Sequence, residues 1–159
     1  ALINGKEFAI PYHTQQPCLH LSAEQTKQGV YVFEQSLKYM AEFFNESKIT
    51  LVYIPSPPSV YKWISPTVTF LMGKKITYST AKIYQRSDEI FQYIQTLSIK
   101  YNYPLIDTRP FLRTQALKEP LHGPRDWYHP NRKGYEAITE VILKNTSLGA
   151  RKIRGEPGP

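Results

Sequence analysis

Ile49-Thr50-Leu51-Val52-Tyr53-Ile54, followed at once by Pro55-Ser56-Pro57-Pro58, decides the fold class of this chain. The run is apolar without alternation and rich in β-branched side chains, the pattern of a strand covered on both faces. Prolines lack the amide hydrogen that a ladder needs, so the strand ends before them. Such a strand belongs in the middle of a parallel sheet, and parallel neighbours require a long crossover, usually a helix.

The chain downstream supplies that crossover. From the mid-eighties to Tyr101, residues Ile83, Ile90, Phe91, Ile94 and Leu97 fall on one helical face, with Ser87 or an earlier Ser or Thr as cap. Pro104 to Asp107 reads as a second short strand and Pro110 to Leu117 as a short helix. A last helix follows Asn131, a good N-cap, and carries Tyr135, Ile138, Val141 and Ile142 inward. Upstream, Phe33, Leu37, Met40, Ala41 and Phe44 define a helix over about Val30 to Ser47. Residues 1–29 read as an irregular lead-in with a short strand around Phe8 to Ile10. Between Ser56 and Lys75 the prolines and apolar residues fit a loop with a short helix or strand, and 147–159 reads as a basic flexible tail.

Strand, crossover helix, strand, final helix is a βαβα order, which implies an α/β, three-layer α/β/α domain with a parallel, flavodoxin-like sheet. In such sheets the active crevice lies beyond the carboxyl ends of the strands, and Ser56, Asp107 and the loop of Asp126 and His129 all follow a strand. Two evident strands are few for a sheet covered on both faces. Either the segments at the N-terminus and around Val68 contribute, or the chain holds a partial domain.

Composition narrows the function classes. A length of 159 residues suits one domain, and 41% hydrophobic residues with twelve tyrosines describe an ordered chain. Cys18 is the single cysteine, so no internal disulfide forms, and His13, His20 and His122 lack partner spacing for a metal. The net charge of +7 is spread along the chain without a nucleic-acid-binding motif, so no specific nucleic-acid partner is expected. No apolar run reaches the length of a membrane span and no signal segment is visible, which leaves localisation open. A start at Ala1 fits processing or truncation upstream.

The chemistry-bearing block is Asp126-Trp127-Tyr128-His129-Pro130-Asn131-Arg132-Lys133-Gly134-Tyr135. A carboxylate three residues before a histidine can reach the imidazole, fix its tautomer and make it a general base. The plainer alternative is a surface Asp–His hydrogen bond ahead of a capped helix. Ser56 is a candidate for the crevice, although Pro-Ser-Pro reads mainly as a turn. Tyr61 and Trp63 are candidates for a substrate wall, or else core aromatics. Arg109 is a candidate for an anionic substrate group, with a helix-start salt bridge to Asp107 as the alternative.

Asp126-x-x-His129-Pro130-Asn131-x-x-Gly134-Tyr135 resembles the last conserved block of the SGNH (GDSL-type) hydrolases. The runs Ile54-Pro55-Ser56-Pro57-Pro58-Ser59-Val60-Tyr61 and Ile106-Asp107-Thr108-Arg109-Pro110-Phe111-Leu112 resemble the later half of such domains in carbohydrate esterases and O-acyl transfer systems. The resemblance implies an SGNH-like domain over 30–146, acting as a serine esterase or O-acyl (acetyl) transferase on an acylated small molecule or carbohydrate. It implies His129 as base, Asp126 as its orienting partner, and neither cofactor nor metal. The family's Gly-Asp-Ser and Gly-x-Asn-Asp blocks do not occur in this chain. The nucleophilic serine is therefore expected from upstream, as the missing part of the same domain. The alternative is an inactive α/β module that binds an anionic glycan or a partner protein.

Overall fold

The computed structural model describes residues 1–11, 14 and 16–146. His13 and the expected tail at 147–159 lie outside the described residues. Strands β1 (Leu2–Ile3) and β2 (Lys6–Glu7) form a small antiparallel pair. Helix α1 (Ala23–Phe43) leads to β3 (Leu51–Tyr53), and a single turn of 3-10 helix at Pro57–Ser59 follows it. Strands β4 (Thr67–Met72) and β5 (Lys74–Ser79) form an antiparallel hairpin. Helix α2 (Thr80–Lys100), strand β6 (Leu105–Asp107) and helices α3 (Arg109–Ala116) and α4 (Arg132–Asn145) complete the chain.

The architecture is mixed α/β, with β3 and β6 as a parallel pair. Leu51 lies opposite Leu105, Val52 opposite Ile106 and Tyr53 opposite Asp107. At the carboxyl end the pair is tied by Thr108, whose amide (3.3 Å) and hydroxyl (2.6 Å) both donate to the Tyr53 carbonyl. Among the described residues β6 is the one strand hydrogen-bonded to β3, so β3 is an edge strand here where its apolar run had suggested a central one. Leu51 and Val52 are half-buried, and Ile54 is exposed.

Helix starts follow caps more closely than hydrophobic period. The lead-in expected over 1–29 gives way to helix at Ala23, seven residues before the helix start expected at Val30. Ser22 and Gln25 form a reciprocal capping box: the Ser22 hydroxyl accepts from the Gln25 amide, and the Gln25 side chain accepts from the Ser22 amide. Helix α2 likewise starts at Thr80, because the Ser79 hydroxyl accepts from the Lys82 amide at 3.2 Å. Ser87 is buried inside that helix, next to the Tyr53 hydroxyl.

Lys74 and Lys75 obscured β5 in the sequence. The hairpin turns at Gly73, whose φ of 72° suits glycine, and Thr69 and Thr77 bond across it at 2.9 Å. Its inner face sets the fully buried Phe70 against Ile83 and Leu19. The main core gathers Val60 and Tyr61, Leu112 and Ala116 of α3, Leu121, Trp127, and Ala137 and Ile138 of α4. In α4 the buried face is Gly134, Ala137, Ile138 and Val141. Tyr135, expected inside, is exposed, because one residue of helix rotates it about 100° from the face that Gly134 occupies. Among the described residues no helix is long and apolar enough to cross a membrane.

Candidate functional site

The segment between α3 and α4 is stitched down before it presents any chemistry. Asn131 is its fastener. Its side-chain oxygen accepts from the Gly134 amide at 3.1 Å, capping α4, and its side-chain nitrogen donates to the carbonyls of Pro120 (3.0 Å), His122 (3.2 Å) and Gly123 (3.4 Å). The Asn131 amide also donates to the Leu121 carbonyl at 2.9 Å. Two glycines permit the close approach. A Cβ on Gly134 would overlap the Leu121 carbonyl and the Pro130 ring, and one on Gly123, where φ is 74°, would overlap the Trp127 indole. Trp127 itself is buried, and its carbonyl accepts from the buried Thr14 hydroxyl at 2.9 Å.

On this base stand Asp126 and His129. His129 Nδ1 and Asp126 Oδ2 are 2.6 Å apart, and Asp126 Oδ1 accepts from the backbone amides of Tyr128 (2.7 Å) and His129 (3.3 Å). Three donors converge on one carboxylate. The His129 hydrogen bond, with the Tyr128 amide next, holds the Asp126 carboxyl below its ordinary value, so it is an anion near neutral pH. With Nδ1 committed to Asp126, Nε2 is the nitrogen left for proton transfer. The pair stands open to water: 71% of the His129 side chain and 53% of that of Asp126 are exposed.

The other candidates divide. Ser56 lines a cleft of about 240 Å³ at the carboxyl end of β3, together with Tyr53, Pro57, His122, Tyr128 and Pro130. Tyr128 and Pro130, the chain neighbours of His129, belong to the lining of that cleft. The Ser56 hydroxyl bonds to that of Ser59 at 2.8 Å, and among the described residues no serine hydroxyl bonds to His129. Tyr61 is a correction: it is fully buried, so it is a core aromatic instead of a substrate wall. Trp63 lines a different depression, beside Phe8 and Val68, with its indole N–H on the Pro58 carbonyl.

Arg109 takes the second of its two expected roles, the helix-start salt bridge. Its guanidinium donates to both oxygens of Asp107 (2.9 and 2.8 Å) and to Asp88 (2.5 Å), and lies 3.7 Å over the ring of Phe91. With two carboxylates bound and little exposure, it ties β6 and the start of α3 to α2 and has no need of an anionic substrate.

His122 escaped the sequence reading, since its partner is 61 positions away. The Tyr61 hydroxyl oxygen accepts from the amides of Leu121 (2.9 Å) and His122 (3.0 Å), so its hydrogen points at His122 Nδ1, 3.0 Å away. Burial pushes the Tyr61 phenol up to about 12, against the pull of the two amides, so it keeps that hydrogen. Burial likewise pushes His122 from 6.5 down to about 4, against the opposing field of the Asp126 carboxylate. His122 is neutral at pH 7, with Nδ1 as acceptor and the proton on Nε2.

Comparison with protein families, with curated proteins and with solved structures gives no match to this chain.

Proposed function

We propose that this chain carries the base-and-carboxylate part of a serine-dependent ester hydrolysis or O-acyl transfer site. The reading rests on one observation, the 2.6 Å contact between Asp126 and His129 Nδ1 on a junction fastened from several sides. Asp126 holds the imidazole with Nε2 directed to accept a proton and stabilises the imidazolium once it forms. A serine hydroxyl supplied from outside this chain attacks the acyl carbonyl while His129 Nε2 takes its proton. His129 then returns that proton to the leaving oxygen, and water discharges the acyl group by the same route. The parallel β3–β6 pair, in which β6 is the one strand bonded to β3 among the described residues, fits a place in a larger three-layer sheet of SGNH type.

A second reading takes support from the exposure of the pair and the missing serine contact: an inactive α/β module that binds an anionic glycan or a partner protein. Fluorophosphonate labelling of the protein from its native source, with mapping of the labelled peptide, separates the two. A labelled serine outside this chain, whose labelling is lost in His129→Ala, supports the hydrolase. A label on Ser56 moves the nucleophile into this chain. Absence of label on folded protein selects the binding module.

A further inference from the structure

The cleft that Tyr128 and Pro130 help to line has a composition that restricts what it can hold. Ile54, Ile90 and the prolines Pro17, Pro55, Pro57 and Pro130 contribute apolar surface, and those prolines offer no amide hydrogen. No Asp, Glu, Lys or Arg lines it among the described residues. Hydrogen-bond donors to a ligand must therefore come mainly from side chains.

The polar side-chain groups of Tyr53, Ser56 and Gln16 bond to Ser87, Ser59 and His20, whereas His122 is held through one ring nitrogen and keeps the other for a ligand. It is 5% exposed, its Nδ1 is held in the core by the Tyr61 hydroxyl, and the ring still contributes to the cleft wall. The Tyr61 oxygen has accepted two amide hydrogens, which leaves its own hydrogen for Nδ1 and forces the imidazole proton onto Nε2. Among the described residues Nε2 has no hydrogen-bond partner. The cleft shares Tyr128 and Pro130 with the segment that carries His129.

We propose that His122 Nε2–H is a fixed hydrogen-bond donor in this cleft, and that it binds the carbonyl oxygen of an uncharged acyl group. A neutral donor in an apolar, uncharged cleft suits a carbonyl and disfavours a carboxylate, whose desolvation no cation here offsets. The assignment deepens the ester-hydrolysis reading by naming the substrate class, yet the donor stands or falls by itself. Tyr61 acts as the positioning residue that sets the tautomer.

Two measurements on the 15N-labelled chain test it. Long-range 1H–15N correlation spectra of wild type at pH 7 are expected to show the proton of His122 on Nε2, and Tyr61→Phe is expected to lose that fixed preference. A proton on Nδ1, or a doubly protonated ring, overturns the proposal. The second is titration with p-nitroacetophenone, which carries the carbonyl of p-nitrophenyl acetate but cannot be hydrolysed. Its addition is expected to move the His122 Nε2 resonance, and His122→Phe is expected to weaken binding about fivefold, the loss of one hydrogen bond. The anion p-nitrobenzoate is expected to bind more weakly than the ketone. An unmoved Nε2 resonance at saturating ketone, or tighter binding of the anion, rejects the site without reference to any variant. If the ketone engages His122 while p-nitrophenyl acetate is not turned over and no serine is labelled, the donor site stands and the hydrolase reading falls. If a serine is labelled while the ketone ignores His122, the reverse holds.

Discussion

The junction from Pro120 to Gly134 and helix α1 are held by different means: the junction by buried contacts, α1 by its own cap and by hydrogen bonds along its side from Arg86, Lys100, Tyr101 and Tyr103. The junction is a loop, yet Asn131 bonds three of its carbonyls, Trp127 roots it in the core, and Tyr61 collects two of its amides from 60 positions away. Helix α1 is regular secondary structure with a complete capping box. Among the described residues Leu37 is its one buried side chain, while Tyr31, Val32, Tyr39, Phe43 and Phe44 stay exposed. Regularity and fixation are separate properties. Local bonding suffices to make a helix, whereas holding a carboxylate and an imidazole in register takes long-range contacts.

The contrast can be broken experimentally, and the largest effect should come from Trp127→Ala. Removing this buried indole from under the junction is expected to cost about 3–5 kcal/mol in urea unfolding. A loss below about 1 kcal/mol would mean that the hydrogen bonds alone hold the loop. Next comes acid. His122 has a folded pKa depressed from 6.5 to about 4, so the unfolded chain binds its proton first as pH falls. Its contribution is complete above about pH 6.5, declines through the interval down to about pH 4, and amounts to on the order of 3 kcal/mol. His122→Phe should flatten that part of the stability-versus-pH curve; an unchanged slope would assign the acid sensitivity to other groups.

Smaller effects sharpen the same comparison. Asn131→Ala removes a cap and leaves the carbonyls of Pro120, His122 and Gly123 without their donor, an expected loss of about 2 kcal/mol. Ser22→Ala removes only the local cap of α1 and is expected to cost about 1 kcal/mol. Equal losses in parallel denaturation curves would erase the distinction between the two regions. Smallest of all for stability is His129→Ala, within about 0.5 kcal/mol because the side chain is exposed, although under the proposed hydrolase reading it abolishes turnover. Retained turnover removes His129 from the role of base.

Much of the site was legible in sequence because its key contacts are local. Asp126 and His129 are three residues apart, and the Asn131 cap on Gly134 spans the same distance. The short strands at Leu51–Tyr53 and Leu105–Asp107 and the short helix after Asp107 also follow from apolar runs and their breaks. Where hydrophobic period misled, a competing local signal was present. The polar turn at the start of α1 carries a cap but no stripe, α2 begins at its Ser79 cap just ahead of Ile83, and the lysines that open β5 masked its alternation with Ile76 and Tyr78. The roles of Tyr61 and Arg109 were illegible, since an aromatic or a guanidinium reads the same whether it faces a crevice or fills a core.

The two short strands, the helices between and after them, and the Asp126–His129 contact follow from local sequence, because each depends on residues within a few turns of chain. Long-range packing is what buries Tyr61 under the junction, occupies Arg109 with Asp107 and Asp88, and sets His122 Nδ1 on the Tyr61 hydroxyl in the wall of a cleft. Those outcomes depend on which distant groups desolvate a side chain and which of its hydrogen bonds they take, and sequence spacing carries no record of either.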